Sequence, residues 1–328
     1  MPFCEIVGHE KQLASLRWNL ENNRLHHAYL FLGPEGVGKK TVALSLAKAI
    51  HCAEGDHDFC GSCHNCVRVE NRNHPDVRVV SPLERKKDIS IDQVRELQRA
   101  LTLRAFSGGK KIAILDPAIR MNLSAQNALL KTLEEPPGDS LLILIATHTG
   151  GFLPTLLSRC LRVVFSPVPL PLVLRFLVER KGMEEDRASI LAALSMGSPG
   201  KAAGAELEEF AERRRSWIQE ISCLQPGDFA AALSLAENVS GNREESVIFL
   251  DWLAGWFRDI LLCRLTQSTG GMCNPDAVNY LKRFAGQHSL DRTLFLYSQT
   301  IRAAARIRQN VNRRIALENI LSQVVRTH

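Results

Sequence analysis

The feature that most constrains the fold is an apolar run, a glycine-rich turn and a helix that follow one another within the first fifty residues. Residues 28–32 (AYLFL) are apolar, residues 33–40 (GPEGVGKK) form the turn, and residues 41–50 carry apolar side chains at helical spacing. In this order, the backbone N–H groups of the turn and the positive end of the helix can surround phosphate oxygens. The sequence therefore predicts a phosphate-binding loop in an α/β domain. The candidate binding residues are Gly33, Gly36, Gly38 and Lys39.

This loop lacks the hydroxyl group that such sites use to hold Mg²⁺. A complete motif has Ser or Thr directly after the lysine, whereas Lys40 occupies that position here. Thr41 comes one residue late, and one residue turns a helical side chain away by about 100°. Lys40 and Thr41 therefore border the candidate site without supplying the metal ligand. Binding of ATP or ADP and a loop that holds no ligand both stay open.

A second apolar run, residues 112–115, is followed by Asp116, and this segment resembles the Walker B strand that supports Mg²⁺ in nucleotide hydrolases. The next residue is Pro117, where an ATPase has the glutamate that activates water. Proline has no group that can orient or deprotonate a water molecule. Two independent parts of the hydrolytic machinery are thus defective, and the sequence predicts a chain that does not hydrolyse ATP.

Strands and helices alternate up to residue 165. The predicted strands are residues 28–32, 77–80, 111–115, 141–146 and 161–165. Ser90 and Gln93 form a capping-box pattern at the start of a predicted helix over residues 91–104, and a further helix is predicted over residues 124–133. Such alternation predicts a parallel sheet with helices on both faces.

Prolines at positions 167, 169 and 171 mark the end of the strand–helix alternation, and the apolar residues after them recur at helical spacing. We expect an α/β domain over residues 1–167, with an insertion at about 51–74. A small helical domain over residues 168–206 and a larger helical domain over residues 207–328 follow. The last segment, residues 301–328, has six arginines against one acid, Glu318, and we interpret it as a packed amphipathic helix with a basic face.

Four of the nine cysteines lie within fifteen positions. Cys52 is followed after seven residues by Cys60, and Cys63 and Cys66 follow at intervals of two residues. In a large cytosolic chain this clustering favours metal over disulfides. Four thiolates at this spacing predict a structural Zn²⁺ site, because the segment has too little apolar content to fold by burial alone. An iron–sulfur cluster is the main alternative.

Composition excludes several classes of protein. The chain has 328 residues, a net charge of +6, 45% hydrophobic and 23% charged residues, which excludes a wholly disordered or collagen-like protein. Its longest apolar runs, such as residues 141–146, are far shorter than the roughly 20 residues of a membrane-spanning helix. Residues 1–5 have no secretory signal pattern. We therefore expect a cytoplasmic protein.

Several segments together resemble one family, the clamp-loader subunits of bacterial DNA polymerase III, which belong to the AAA+ class. The resemblance rests on residues 3–9 (FCEIVGH), 27–31 (HAYLF), 89–95 (ISIDQVR), 124–137 (SAQNALLKTLEEPP), 158–160 (SRC) and 315–318 (IALE), together with the four-cysteine insertion. It spans the whole chain. It implies an AAA+ domain with a parallel sheet, a small helical lid domain and a C-terminal helical collar domain.

Within this family the sequence resembles the non-hydrolysing delta-prime type, since a tau/gamma motor should carry Lys-Ser/Thr and Asp-Glu pairs. The resemblance implies a ring of five subunits, including delta and tau/gamma, that loads the sliding clamp onto primed DNA during replication. It also implies that Arg159 is an arginine finger for a neighbour's ATP, and that Thr147 and Lys201 occupy the sensor-1 and sensor-2 positions. Such a subunit has no activity of its own, although it forms part of a DNA-directed DNA polymerase holoenzyme. Two alternatives remain: an active motor subunit, and a zinc-containing DNA-binding protein with a decayed nucleotidase core.

Overall fold

The first half of the chain builds one parallel sheet in the computed structural model, which describes residues 3–55, 57–83, 86–106, 109–266, 272–309 and 311–326. Its strands are β1 (Ala28–Leu32), β2 (Val77–Val80), β3 (Lys111–Leu115), β4 (Ser140–Ala146) and β5 (Leu161–Val164), in the spatial order β2-β3-β4-β1-β5. Every pairing is parallel, with Leu30 opposite Leu144 on one side and Arg162 on the other. The predicted α/β fold is confirmed.

The central strands are apolar throughout because helices cover both faces of a parallel sheet. All seven residues of β4 are buried, as are four of the five in β1 and in β3. The helices of this half are α1 (Glu10–Glu21), α2 (Lys39–His51), α3 (His64–Glu70), α4 (Ile91–Thr102), α5 (Leu123–Glu134) and α6 (Pro154–Leu157). The loops after β1, β3 and β4 lie along one edge of the sheet, where ligands bind in such folds.

The ends of α4 and α5 follow local chemistry. Ser90 accepts the Gln93 N–H while the Gln93 side chain accepts the Ser90 N–H, which is the capping box that the sequence predicts. The helix ends at Thr102 instead of residue 104, because the backbone of Leu103 is extended. Asn122 caps α5 by accepting the N–H of Ala125, so this helix starts one residue earlier than predicted.

After β5 the described part of the chain is helical, as predicted. Its helices are α7 (Leu170–Lys181), α8 (Glu185–Leu194), α9 (Pro199–Ala202), α10 (Ala205–Cys223), α11 (Phe229–Asn238), α12 (Arg243–Thr266), α13 (Val278–Gln287), α14 (Leu290–Arg308) and α15 (Arg313–Val325). The amphipathic segment predicted over residues 301–328 is not one helix. It breaks between α14 and α15, where the Asn312 side chain caps α15 by accepting the N–H groups of Arg314 and Ile315.

The chain divides into two compact units. The first holds Met1–Phe176 and Gly197–Lys201, and the second holds Leu177–Met196 and Ala202–His328. The division into domains over 1–167, 168–206 and 207–328 remains a prediction. Among the described residues, no helix is both long enough and apolar enough to cross a membrane.

The second unit is built around aromatic packing. Trp252 lies 5.3 Å from Trp217 and 5.7 Å from Trp256, measured between ring centroids, and α12 contributes more residues to this core than any other helix. Beside it, the buried Arg214 guanidinium donates to Asn274 and pairs with the Asp276 carboxylate. A buried cation needs such complete pairing, because burial without a partner is costly.

Candidate nucleotide site and metal centre

The glycines of the phosphate loop meet conformational and steric demands that other residues cannot. Gly33 has φ +154° and Gly36 has φ +74°, in the region that disfavours L side chains. A Cβ atom at Gly33 would lie 2.3 Å from the Phe165 carbonyl oxygen, and one at Gly36 would lie 2.9 Å from the backbone nitrogen of Lys201. Gly38, with φ +117°, precedes α2. The loop therefore packs closely between β5 and the segment around residue 201.

Lys39 is buried and its ammonium group already has partners in the loop. Its Nζ donates to the carbonyl oxygens of Gly33 and Pro34, both at 2.6 Å. Burial lowers the pKa of Lys39, while the carboxylates of Asp116 and Glu35 act in the opposite direction. The loop carbonyls thus hold the positive charge where phosphate oxygens would compete for it.

Lys40 and Asp116, which lie 76 positions apart, form an ion pair. The Lys40 Nζ lies 2.8 Å from Asp116 Oδ2, and both side chains are partly buried. The Walker B carboxylate is thus neutralised by an ammonium group that stands where the metal-binding hydroxyl would be. Thr41 is exposed, and Pro117 follows Asp116 directly. This pairing opposes Mg²⁺ binding, because an ion would have to displace the ammonium group from the carboxylate.

The segment at residues 199–201 lies against the phosphate loop within the same unit. The Gly200 N–H donates to the Gly36 carbonyl at 2.8 Å, and the Lys201 Nζ lies 3.6 Å from the Glu35 carboxylate. Thr147 is exposed and follows β4, whose last residue, Ala146, accepts the Gly33 N–H. The structure thus brings Lys201 to the loop and places Thr147 at the same edge of the sheet.

His9 supports the loop, a role that its residue type and position in the sequence do not by themselves predict. Its buried ring forms a 2.9 Å hydrogen bond between Nε2 and the Val37 carbonyl. The ring also packs edge-on against Phe165, with the centroids 5.0 Å apart. The sequence signal for this residue is the Val-Gly-His pattern at positions 7–9, which is one of the segments that resemble the clamp-loader family.

Arg159 lies between α6 and β5, away from its own phosphate loop in sequence. One guanidinium nitrogen lies 2.7 Å from Glu134 Oε1, and another donates to the Thr155 carbonyl at 2.7 Å. The side chain remains 34% exposed. The neighbouring Cys160 is buried, and burial raises the pKa of its thiol to about 11. The cysteine of this motif therefore packs in the core while the arginine stays at the surface.

The four clustered cysteines converge on one point. Cys52 Sγ lies 3.7 Å from Cys60 Sγ and 3.9 Å from Cys63 Sγ, and all four sulfur atoms, including that of Cys66, lie within 4.8 Å of one another. Tetrahedral Zn²⁺ with bonds of about 2.3 Å places its sulfur ligands about 3.8 Å apart. The donor set and its spacing therefore fit such an ion, and the cluster can bind a metal.

Backbone N–H groups of this loop donate hydrogen bonds to the cysteine sulfur atoms. The N–H of Cys60 donates to Cys52 Sγ at 3.4 Å, and the N–H of Cys63 donates to Cys60 Sγ at 3.2 Å. Burial raises the pKa of Cys66 to about 12. At Cys63 burial acts in the same direction, but hydrogen bonds, including those with the backbone of Ala53 and Cys66, lower the pKa to about 6. An ion would supply the positive charge that four converging sulfur atoms require.

Comparison with known proteins places the chain in a family. The family model for "DNA polymerase III, delta subunit" matches residues 8–169, and the model for its C-terminal region matches residues 208–325. The chain is 33% identical to DNA polymerase III subunit delta' of Pseudomonas aeruginosa over 90% of this chain and 91% of that protein. It is 30% identical to the delta' subunit of Bacillus subtilis over 94% and 92%. The chain belongs to the DNA polymerase III subunit delta' family.

Membership in this family confirms the resemblance seen in the sequence, and with it a role as a clamp-loader subunit. A DNA polymerase III gamma subunit-related protein from Thermotoga maritima shares the fold. Its TM-score is 0.51 at 18% identity, over 96% of this chain and 98% of that one. The predicted combination of a parallel α/β sheet with a helical C-terminal region is therefore confirmed. The roles of individual residues have to be argued from their geometry.

Proposed function

We propose that the chain is the non-hydrolysing subunit of the clamp loader and offers Arg159 to ATP bound by a neighbouring motor subunit. The observation that carries the proposal is the ion pair between Lys40 and Asp116. In this pair the Asp116 carboxylate is bound to an ammonium group and is not available to Mg²⁺ in this chain's own site. The chemistry of the assembly then has to take place at another subunit's nucleotide.

Arg159 has the properties that a trans-acting finger requires. Its guanidinium group carries a permanent charge and a planar set of donors that suits phosphoryl oxygens. It is anchored at the Thr155 carbonyl and still one third exposed, so an incoming phosphate can reach it. Glu134 holds it in the isolated chain, and in the assembly the phosphate would replace Glu134 as its partner.

The other assignments follow from the same proposal. The phosphate loop retains its glycines and Lys39, which supports weak binding of ATP or ADP without Mg²⁺. The four cysteines hold structural Zn²⁺, and Thr147 and Lys201 are the remnants of sensors around this loop. The chain forms a five-membered ring with delta and tau/gamma subunits in the cytoplasm, and meets the sliding clamp and primed DNA through that ring.

Direct DNA reading by the basic C-terminal segment is less well supported. Arg308 lies 2.6 Å from the Asp251 carboxylate, and Arg314 lies 2.8 Å from Glu318. These arginines therefore have acidic partners within their own unit. The geometry favours a packed surface in that segment over a phosphate-binding stripe, which needs arginines that face the nucleic acid.

The test is reconstitution of the complex from purified delta, tau/gamma and this chain. Arg159→Ala should leave assembly intact and lower DNA-stimulated ATP turnover at the adjoining site by at least about tenfold, since trans arginine fingers contribute large rate factors. Arg17→Ala is the matched control, because Arg17 is also an exposed arginine paired with a carboxylate, that of Glu21. Unchanged turnover with Arg159→Ala would contradict the finger role. Failure of the wild-type chain to join the complex would contradict the subunit role itself.

A further inference from the structure

Three buried side chains with metal-binding atoms meet where α2 ends and β2 begins. His51 is the last residue of α2, and His74 and Asp76 come just before β2. Their exposed fractions are 6%, 3% and 3%, and one potential ligand atom from each lies within 4.8 Å of the others. The two imidazole centroids are 4.4 Å apart. This cluster is separate from the four cysteines in its donor atoms, although His51 precedes Cys52 in the chain.

Both imidazoles have a ring nitrogen without a partner. The Nε2 atoms of His51 and His74 are buried, and neither makes a hydrogen bond with the residues that the structure describes. Buried polar atoms are almost always paired, so two orphans on facing rings call for an explanation. A ligand that accepts electron pairs from both nitrogens would provide one.

The Nε2 atom of His51 is the candidate ligand atom of this ring, since it is buried and has no partner among the described residues. When the proton of a neutral imidazole is on Nδ1, Nε2 keeps an electron pair that a metal ion can accept. Metal-bound histidines typically use their second ring nitrogen to donate to a carbonyl or carboxylate. The backbone of Lys110 lies near this ring and could serve as such an acceptor.

His74 and Asp76 complete the donor set. Asp76 Oδ1 accepts the Phe106 N–H at 2.9 Å, and this bond fixes the carboxylate beside the rings. His74 Nδ1 accepts the Asp76 N–H at 3.2 Å. For His74 to bind a metal through Nε2, its proton has to move to Nδ1 and this long hydrogen bond has to be given up. Two imidazoles and a carboxylate together form a donor set of zinc enzymes and related sites.

We propose that His51, His74 and Asp76 bind a second divalent transition-metal ion of the zinc class, with water as the fourth ligand. Ligand bonds of about 2.0–2.1 Å in a tetrahedral site place donor atoms about 3.4 Å apart, so the side chains need to close by a modest amount from their present spacing. The ion would link the end of the phosphate-loop helix to the start of β2. The role of this ion would be structural, and it does not depend on the function proposed above.

Metal titration of the intact full-length chain tests the proposal. After removal of metal with a chelator under reducing conditions, the chain is titrated with Co²⁺ and its metal content is measured. We expect two equivalents, one with sulfur-to-cobalt charge-transfer absorption from the cysteines and one without. His51→Gln and His74→Gln should each bind one equivalent and retain the charge-transfer band. The control His148→Gln alters an exposed histidine outside both clusters and should bind two.

A single equivalent in the wild-type chain would overturn the proposal, as would a second equivalent that persists in both glutamine variants. If a variant fails to fold, the proposal is tested on the wild-type chain alone. In that case, X-ray absorption of the protein loaded with two equivalents of Co²⁺ should show imidazole scattering. Spectra that show only sulfur around bound cobalt would overturn the proposal.

Discussion

The phosphate loop and the cysteine loop lie at the two ends of α2, and they differ in what they need in order to be complete. At the start of the helix, Lys39 is held by loop carbonyls and Lys40 by Asp116, so protein groups satisfy one another. At its end, Cys52 and three further thiols converge with other sulfur atoms as neighbours. The charged groups of the first loop are paired with one another, whereas the sulfur atoms of the second loop have a geometry that an ion would complete. The same helix therefore joins a loop whose charges are satisfied internally to a loop that calls for a cation.

The largest expected effect is at the cysteine loop. Cys63→Ser should lose one equivalent of metal and with it a binding free energy on the order of 10–16 kcal/mol, the range for structural Zn²⁺ in zinc-finger peptides. We expect residues 53–65 to become sensitive to limited proteolysis as a result. Cys223→Ser, at an exposed cysteine in the second unit, is the control and should change neither metal content nor cleavage. Equal metal content in both variants would contradict the assignment of Cys63 as a metal ligand.

An intermediate effect is expected where the phosphate loop packs against the segment at residue 201. Gly36→Ala should lower the free energy of unfolding by about 2–3 kcal/mol, from left-handed backbone strain plus a clash with the backbone of Lys201. Gly138→Ala is the matched control, because its φ is also positive, at +56°, but a Cβ there meets open space. It should cost about 1–2 kcal/mol, the backbone contribution alone. If denaturant unfolding shows equal losses of unfolding free energy in the two variants, the close packing at Gly36 does not contribute to stability.

The smallest expected effect concerns the ion pair that closes the nucleotide site. Lys40→Thr should restore the hydroxyl and release Asp116, so that Mg²⁺ tightens ATP binding by about tenfold, or about 1.4 kcal/mol. Calorimetric titration with and without Mg²⁺ measures this. Thr41→Val is the control, since the Thr41 side chain is exposed on the next position of the helix and should not matter. If Lys40→Thr binds ATP equally with and without Mg²⁺, the ion pair is not what excludes the metal.

The fold could be predicted where local sequence patterns carry the information. β1, β2 and β3 begin and end at the predicted residues, because each is a short, mainly apolar segment bounded by polar residues or turns. The start of α4 follows from Ser90 and Gln93, whose capping box needs only four consecutive residues. β4 gains Ser140, and β5 ends one residue earlier than predicted.

Contacts between distant side chains could not be predicted in this way. The sequence shows Lys40 as a missing hydroxyl and Asp116 as a strand-end carboxylate, but no periodicity indicates that the two pair. The same holds for Arg159 with Glu134 and for His51 with His74. These contacts depend on how strands and helices pack, and periodicity along the chain encodes only which face of each element is buried.

The central claim is that this chain's own nucleotide site does not hydrolyse ATP, because the Lys40–Asp116 pair occupies the metal ligand and Pro117 replaces the base. The most direct measurement is ATP turnover by the purified chain at saturating Mg²⁺, beside a Lys39→Ala variant. The predicted result is that turnover by the wild-type chain does not exceed that of the variant. Mg²⁺-dependent turnover that disappears in Lys39→Ala would contradict the claim.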